Sequence, residues 1–521
     1  MFLRTTLLIF ICCYSFLEAQ QLNWQWGNLL RNKGSLVRIL PDQKQQFSAI
    51  HYNNQLAGGG YALTQYSEFD AVASTKIKPV SPEGYGYYQE TLRLKNGYAI
   101  YIADRNGKEM KLFVKILDEE FNVVDEYAVL NYIDTRPNAQ PKFNLIQSPD
   151  RSHLIATYQI PGKRNGVDTY GYQLFDEDLS PLHGGEYILP FDANLTSIED
   201  YYLTDNGDFF IGVIEMSAIE NHGIRVRKAF KNIHVYQIEE SGVKNFTFDL
   251  QGKRVSNFIM NAQQGTQLSL FGLYGNSQTN VRQDGFFNAQ INLNSDSIIA
   301  VGFIPLSAEM MLSEHETNER LRLQRRMERR GDEPQLSRYE VRDIFTLPDG
   351  SYIGSIEKYY IYTNTTFNNQ TGQRMTTNYY YYNDIIAFCI DTNGQLRWEQ
   401  RIPKMQVSIN DNGPFSSFAS YVDSSSLHFI FNDTKANYNE NGQYKEGLTA
   451  PSTFSLSRNK NVGAWVHIDI QTGQMQRSIG HQRLTENILL MPKLFQLDLK
   501  NQGLYTYGVL GPQEKFGFIQ F

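Results

Sequence analysis

The sequence predicts an all-β chain in which a unit of four antiparallel strands is repeated along most of its length. The first observation is the aromatic content, which is 13% of the 521 residues and includes 33 Tyr and 32 Phe, because aromatic side chains favour strands. The second is a series of Asp-Gly and Asn-Gly pairs between short apolar runs, a pattern typical of β-hairpins. The third is the return of this pattern roughly every 40 to 60 residues, a spacing typical of repeated sheet units.

The clearest copy of the unit lies between residues 344 and 398. Turns are predicted at Asp349-Gly350 and at Asn393-Gly394, and a long polar excursion separates the second strand from the third. Hairpin turns of this kind join antiparallel neighbours, so the unit is a four-stranded meander. Its predicted strands cover residues 344–347, 352–356, 385–390 and 395–398.

Six further copies are predicted, four before this unit and two after it. In most copies the third strand ends in a side chain that can accept a hydrogen bond from the backbone of the following turn. These residues are Asp118, Asp176, Glu239, Asn294, Asp391 and Asp469. Repeats of four strands each predict a β-propeller of about seven blades.

Two hairpins, those that begin at Asp391 and Asp469, resemble the loose repeats of quinoprotein-like propellers. The resemblance implies a ring of stacked four-stranded blades and names no activity. The competing fold is an outer-membrane barrel, which the terminal Phe521 and the many aromatics suit. Residues 385–390 are apolar throughout, whereas a barrel with a polar lumen needs alternation, so the sequence favours the propeller.

Closure of the ring requires a strand from elsewhere, because the last unit, which begins at Leu489, has only three strands and would leave an unpaired edge. A strand within residues 61–76 is predicted to fill this place. The propeller is therefore expected to span residues 61–521, after a leading segment at 20–60. Eight blades remain the alternative if residues 35–60 form more of a sheet.

The first 19 residues are predicted to be a secretory signal peptide. Arg4 precedes the apolar stretch 7–16, which is too short to span a membrane, and Ala19 is a small residue at a cleavage position. The alternative is a lipoprotein acylated at Cys12 or Cys13. The leader ends in Ala-Gln, as do those of exported Bacteroidota proteins that it resembles. We therefore expect an exported bacterial protein in the periplasm, at the cell surface or outside the cell.

Composition limits the chemistry. The net charge of −7 argues against nucleic-acid binding. Outside the leader Cys389 is the one cysteine, and its apolar strand predicts a buried small hydrophobe rather than a nucleophile. The nine histidines show no paired metal spacing, so neither a metal nor a cofactor is expected.

Binding residues are expected on the face of the propeller where the loops between second and third strands open, together with the connections between blades. Several of these loops are long, and long loops on a rigid scaffold usually carry binding. Arginines there could meet an anionic glycan, and the tyrosine run 379–382 could stack on a sugar or pack within its blade. The candidates are Arg225, Arg227, Arg282, Arg374, Tyr380 and Tyr382.

A helical insertion is predicted at residues 307–338, between blades four and five. Acidic residues come early in it, and Arg325, Arg326 and Arg329 come late, an order that suits the helix dipole. The segment is either a docking helix for another protein or a solvated helix that leans on the propeller.

Two functions follow from these patterns. The first is a non-enzymatic scaffold that binds another protein in a cell-envelope or surface complex, because no catalytic constellation is assembled in the sequence. The alternative is a glycan-binding or carbohydrate-active propeller, in which the central funnel would hold the site.

Overall fold

A computed structural model describes residues 22–43, 45–53, 60–136, 138–162, 166–219, 227–263, 266–277, 282–313, 336–367, 370, 372–448 and 450–521. These residues form eight antiparallel sheets of at least four strands that follow one another along the chain, called blades one to eight below. In each of blades one to seven the four strands are paired in chain order, so every blade is a meander.

The first four blades use residues 35–247. Blade one has Ser35–Pro41, Gln46–Asn53, Gly60–Ser67 and Asp70–Ile77. Blade two has Tyr87–Leu94, Gly97–Asn106, Glu109–Leu117 and Val123–Ile133. Blade three has Phe143–Gln147, His153–Ile160, Thr169–Asp176 and Pro181–Ile188. Blade four has Thr196–Leu203, Phe209–Ile219, Arg227–Glu239 and Gly242–Thr247.

The last four blades use the remainder of the chain and one N-terminal strand. Blade five has Arg254–Gln263, Gln267–Gly275, Gly285–Asn292 and Ser297–Pro305. Blade six has Tyr339–Thr346, Tyr352–Phe367, Arg374–Ile390 and Leu396–Ile402, with Gln406–Ile409 added to the third strand. Blade seven has Ala419–Val422, Ser426–Thr434, Asn461–Asp469 and Met475–Gln482. Blade eight has Leu489–Leu490 with Gln496–Asp498, Gly503–Leu510, Gln513–Gln520 and Trp24–Trp26 with Leu30–Arg31.

Shorter elements lie between and beside the blades. Two pairs of short strands are Val80–Ser81 with Gly84–Tyr85, and Arg282–Gln283 with Leu336–Ser337. The described helices are Ala308–Ser313 and Arg483–Glu486, with 3-10 turns at Ala193–Leu195, Lys435–Asn437 and Pro492–Leu494. None of the helices in the described ranges is long and apolar enough to cross a membrane.

The blades close into a ring, and the hydrophobic clusters show this directly. Each cluster joins two neighbouring blades: one with two, two with three, and so on to seven with eight. One more cluster joins blade eight to blade one through Phe47, Tyr66, Tyr505 and Phe516. In five of the eight adjacent pairs of blades the first strands contact each other, which places these strands towards the axis. The predicted all-β propeller is confirmed by this topology, and its sheets are buried on both faces.

The described ring has eight blades, the alternative left open by the sequence. Residues 35–77 form a complete blade rather than a leading segment and a closing strand. The predicted boundary at residue 61 is wrong because Gly60–Ser67 pairs with Gln46–Asn53 of its own blade. The closing strand is instead Trp24–Trp26, which pairs with Gly517 to Ile519. Ring closure by an N-terminal strand is thus confirmed, with a different segment in that place.

The predicted turn acceptors are confirmed at four of their six positions. The side-chain oxygens of Asp118, Asp176, Asp391 and Asp469 accept backbone N–H groups two to four residues further on. At the other two turns, Glu239 accepts from the Ser241 hydroxyl and pairs with Lys244, and the acceptor near Asn294 is Asn292. Cys389 is buried as predicted, and burial raises the pKa of its thiol to about 11.

The insertion lies between blades five and six, because the additional blade shifts the count by one. Its first residues form the helix Ala308–Ser313, whose start is capped by the Ser307 hydroxyl accepting from the Met310 N–H. Met310 and Met311 are buried in the cluster that joins blades five and six. The insertion therefore begins as part of the core, and residues 314–335 lie outside the described ranges.

Candidate functional site

Blade six has second and third strands of 16 and 17 residues, about twice the length of the strands beside them. The first strand pairs with the second only as far as Lys358, and the fourth pairs with the third only from Ile385 onward. Beyond these points the hairpin continues as residues 359–367 and 374–382, with Gln406–Ile409 as a third strand. We call this three-stranded sheet the arm.

Arg338 explains why one edge of the arm has no strand from blade six beside it. It has a positive φ of 67°, a left-handed conformation that turns the chain sharply. Its carbonyl accepts from the Tyr359 N–H, but the two residues before it, Leu336–Ser337, pair with Arg282–Gln283 of blade five. The chain thus enters blade six at the base of the arm and leaves the edge above it uncovered by the first strand.

One face of the arm is a platform of tyrosine and aliphatic side chains, defined by two rows across the three strands. The lower row is Val407, Tyr381 and Tyr360, with the Arg338 guanidinium 4.4 Å above the Tyr360 ring. The upper row is Ile409, Tyr379 and Tyr362. Rings of Tyr360 and Tyr381 stack with centroids 4.6 Å apart, which holds both in place.

Two of the three residues in the upper row are more than half exposed, and Tyr379 between them is half-buried. Tyr362 and Ile409 are 55% and 54% exposed, and Met375, further along the same face, is 65% exposed. The four tyrosines carry hydroxyl groups at the end of large apolar rings, so the platform can bury area and donate hydrogen bonds at the same contact. We call Tyr360, Tyr362, Tyr379, Tyr381, Val407 and Ile409 the tyrosine platform.

A buried polar network fixes the base of the arm. The Glu357 carboxylate accepts from Lys404 Nζ at 2.7 Å, from Arg342 Nε at 2.9 Å and from the Ser417 hydroxyl at 2.8 Å. Lys404 also donates to the Tyr382 carbonyl and the Gln406 side chain. These bonds tie the arm to the connection between blades six and seven, so the arm is held rigidly on the ring.

Lys493 adds a contact from blade eight. Its Nζ donates to the Tyr382 hydroxyl at 2.7 Å and to the Asn412 carbonyl at 3.1 Å, and it lies 3.9 Å from the centroid of the Tyr382 ring. Burial lowers the pKa of Lys493 to about 8. Because Tyr382 is bonded in this way, it is a structural residue of the arm base.

A cavity lies between blades three and four, next to the axis, and is a second candidate site. It is a cavity of about 500 Å³ lined by Lys142, Gln159, Asp168, Tyr170 and Glu199 among others. Burial raises the pKa of Glu199, and the nearby charge of Glu340 adds to this effect. Asp168 accepts from Gln159 and from the Gly162 N–H, so its carboxylate is already bonded within the pocket wall. We call this the channel pocket.

The sequence-predicted residues are only partly brought together. Arg225, Arg325, Arg326 and Arg329 lie outside the described residues, and of Arg227 only its backbone, at the start of a strand, is described. Arg282 lies in the short strand next to the base of the arm, and Arg374 is exposed near the arm tip. Tyr380 and Tyr382 are both in the arm, on the face opposite the platform.

The platform residues Tyr360, Tyr362, Val407 and Ile409 were missed by sequence reasoning. A signal was present, because residues 359–362 repeat the tyrosine-rich pattern of 379–382. From sequence alone, the second run is predicted to form one strand, and no pairing with the first run is predicted. The pairing of the two runs makes the platform, and pairing register is a property of the folded hairpin.

No family model and no curated protein matches this sequence. Among solved structures, the WD40 domain of SCAP from fission yeast is 8% identical with a TM-score of 0.39, covering 96% of this chain and 94% of its own. The β-propeller domain of the Trilobed protease from Pyrococcus furiosus is 13% identical with a TM-score of 0.32, covering 78% and 89%. An apocarotenoid oxygenase mutant from Synechocystis is 8% identical with a TM-score of 0.28, covering 70% and 72%. These scores are too low to carry an argument, so the propeller assignment rests on the strand order and ring closure described above.

Within the described residues, no group of three or more His, Cys, Asp or Glu side chains could hold a metal ion.

Proposed function

We propose that this chain is an exported, non-enzymatic β-propeller that binds another protein through the arm, as a subunit of a cell-envelope or surface complex. The tyrosine platform carries this proposal. It places six aromatic and aliphatic residues on one face of a sheet that extends beyond its blade, with Tyr362 and Ile409 more than half exposed. Exposed apolar patches on a soluble fold mark interaction sites.

The chemistry of the platform fits a protein partner. Tyrosine is enriched at protein interfaces and at the residues that dominate binding energy, because it buries a large ring and retains a polar group. Arg338 on the Tyr360 ring adds a cation at the margin of the patch. The rigid base means that little conformational entropy is lost on binding.

The charged groups at the arm base support a binding role over a catalytic one. Glu357 is satisfied by three donors, and Arg401 by the Asp384 carboxylate and the Ser313 carbonyl. Asp433 is bonded to Arg477, Tyr438 and Asn437. Charged side chains whose hydrogen bonds and charges are already matched by neighbouring groups, as these are, are suited to holding loops in place rather than to catalysis.

The experiment is a capture from an envelope extract of the native host with the tagged mature chain. We expect the Tyr362→Ala/Tyr379→Ala variant to lose the partner that the natural chain retains, with affinity lowered by about tenfold or more if two central tyrosines are removed. The matched control is Tyr85→Ala/Tyr87→Ala, since these tyrosines are 88% and 51% exposed on blade two or next to it. Equal capture by both variants would refute the arm as the binding site.

A glycan is the second candidate ligand, favoured by the channel pocket. Amide, carboxylate and amine groups together with Tyr170 line this cavity, a mixture that suits hydroxyl-rich ligands. The arrangement is tested by a glycan array with the natural chain and with Gln159→Ala, a substitution at the pocket wall. Specific binding that this variant loses, and that the arm variant retains, would support a glycan role in place of the protein-binding role.

A further inference from the structure

The arm has an open strand edge above Lys358. Because the Tyr359 N–H points to Arg338, the backbone groups of alternate residues point to the same side, which places those of Ile361, Thr363, Thr365 and Phe367 at the edge. The opposite side of this strand is occupied by pairing with residues 374–382. Among the residues that the structure describes, no strand pairs with this edge beyond the arm base.

This edge lacks the features with which proteins protect an exposed strand. Residues 359–367 contain neither a charged residue nor a proline, although Lys and Pro are the usual means of preventing edge pairing. By contrast, the outer strands of blades one, two and four carry Asp70 and Lys76, Asp125 and Glu126, and Lys244. Ile361 and Phe367 are also 49% and 63% exposed. An uncharged edge with apolar side chains is a template for another strand.

The sequence of the edge is complementary to itself. If two copies pair antiparallel about Asn364, Ile361 lies opposite Phe367 of the second copy and Thr363 lies opposite Thr365. All four residues have their backbone groups on the edge side, so the hydrogen bonds can form in this register. In this register the apolar side chains of Ile361 and Phe367 lie opposite each other, as do the hydroxyl groups of Thr363 and Thr365. No like charges lie opposite each other.

We propose that the arm edge, residues 361–367, binds the same edge of a second copy of this chain in a two-fold symmetric dimer. A two-fold interface uses one surface patch on both subunits, which this self-complementary strand provides. The two arms form one six-stranded sheet. Because the two-fold axis is perpendicular to that sheet, both tyrosine platforms lie on the same side and form one continuous surface. The dimer does not depend on which ligand binds the platform.

A charge-swap experiment tests whether a second copy of this chain binds the arm edge. In Thr363→Glu/Thr365→Glu, each glutamate faces a glutamate of the second copy, and in Thr363→Lys/Thr365→Lys each lysine faces a lysine. We expect each variant alone to dimerise about tenfold more weakly or worse, measured by sedimentation equilibrium. An equimolar mixture should form a heterodimer, because Glu then faces Lys. The conservative Thr363→Ser/Thr365→Ser variant should dimerise as the natural chain does.

A cross-linking experiment tests the register. Directly opposite residues that do not exchange hydrogen bonds have Cα atoms about 4.5 Å apart, within the range a disulfide accepts. Asn364→Cys should therefore cross-link to itself across the two-fold axis under mild oxidation. Thr363→Cys should not, because it faces Thr365 of the second copy. The buried thiol of Cys389 is common to both variants.

The outcomes separate the alternatives. A natural chain that sediments as a monomer at its highest soluble concentration overturns the proposal, and so does a dimer that persists in both charged variants. If the natural chain is monomeric and the charged variants no longer capture the host protein, the arm edge binds that protein instead of a second copy. Loss of dimerisation with retained capture would leave the binding role of the platform intact.

Discussion

Lys404 and Glu357 form an ion pair with a distance of 2.7 Å between Nζ and Oε1, and both side chains are almost completely buried. Glu357 lies at the end of the blade-proper part of its strand, and Lys404 lies in the connection to blade seven. Burial lowers the pKa of Lys404, and the charge of Glu357 opposes this effect. The pair therefore joins the base of the arm to the connection that leads to blade seven.

Lys404→Met should lower the free energy of unfolding by about 3 to 5 kcal/mol, because removing one partner leaves Glu357 buried with less compensation. Denaturant titration measures this loss. The double variant Lys404→Met/Glu357→Gln should be more stable than the single one. The matched control is Arg397→Met, which breaks the surface pair with Asp349 and should cost no more than about 1 kcal/mol. A single-variant loss as small as the control would show that the pair does not anchor the arm.

The blade pattern could be predicted from sequence because it depends on local signals. Turns such as Asp391-Thr392-Asn393-Gly394 determine hairpins within a few residues, and seven copies were found in this way. Residues 35–77 were not assigned as a blade because no Asp-Gly or Asn-Gly pair marks their turns. The closing strand Trp24–Trp26 is three residues long and pairs across nearly the whole chain, a relationship that no local pattern records.

The candidate site was only partly predictable for a related reason. The long excursion of blade six was expected to be a polar loop, and it continues as two strands because Tyr359, Tyr360, Ile361 and Tyr362 pair with residues 379–382. Tertiary pairing extends a strand beyond its blade where both runs have high β-propensity. The buried network at Glu357 joins residues 47 and 60 positions apart, and charged residues in sequence do not show their partners.

His481 should make ring closure sensitive to pH. Its ring lies 5.4 and 5.6 Å from those of Trp24 and Trp26 on the closing strand, and burial lowers its pKa to about 4. Its pKa in the unfolded chain is about 6.5, so between pH 6.5 and 4 the unfolded state binds more protons. The contribution of His481 to the free energy of unfolding is therefore complete above pH 6.5. It decreases by about 3 kcal/mol as the pH falls towards 4.

Urea unfolding at several pH values between 4 and 7 checks this expectation. His481→Gln should reduce the slope of stability against pH in that window, because the titrating group is removed. His183→Gln, at a half-buried position, serves as the matched substitution. Equal slopes in the natural chain and His481→Gln would contradict the assignment of the pH dependence to the closing strand.

Trp24→Ala should destabilise the ring by about 2 to 3 kcal/mol, since a half-buried tryptophan is removed. The indole N–H donates to the Thr506 hydroxyl at 2.9 Å, and the ring stacks on Trp26 with centroids 4.8 Å apart. Differential scanning calorimetry measures the change. Leu29→Ala in the same segment, where the side chain is 37% exposed, should change stability by less than about 1 kcal/mol. A Trp24→Ala variant as stable as Leu29→Ala would mean that the N-terminal strand does not close the ring.

Two deletions in the insertion between blades five and six should have different effects. Removing residues 314–335 and joining the ends with a Gly-Ser linker retains Met310 and Met311 in their cluster, so the propeller should unfold at nearly the natural temperature. Removing residues 308–335 also takes away the helix Ala308–Ser313 and the Ser313 carbonyl that Arg401 bonds. This longer deletion should cost several kcal/mol, because buried methionines are lost and Arg401 loses a partner.

The shorter deletion also tests the docking role predicted for Arg325, Arg326 and Arg329. If those residues contact the partner, the deletion should weaken capture while leaving the fold and the tyrosine platform intact. If capture is unchanged while Tyr362→Ala/Tyr379→Ala still abolishes it, the insertion has no part in binding and the arm is the site. If the shorter deletion unfolds the chain as the longer one does, residues 314–335 contribute to the core between blades five and six, and the boundary placed at Ser313 is wrong.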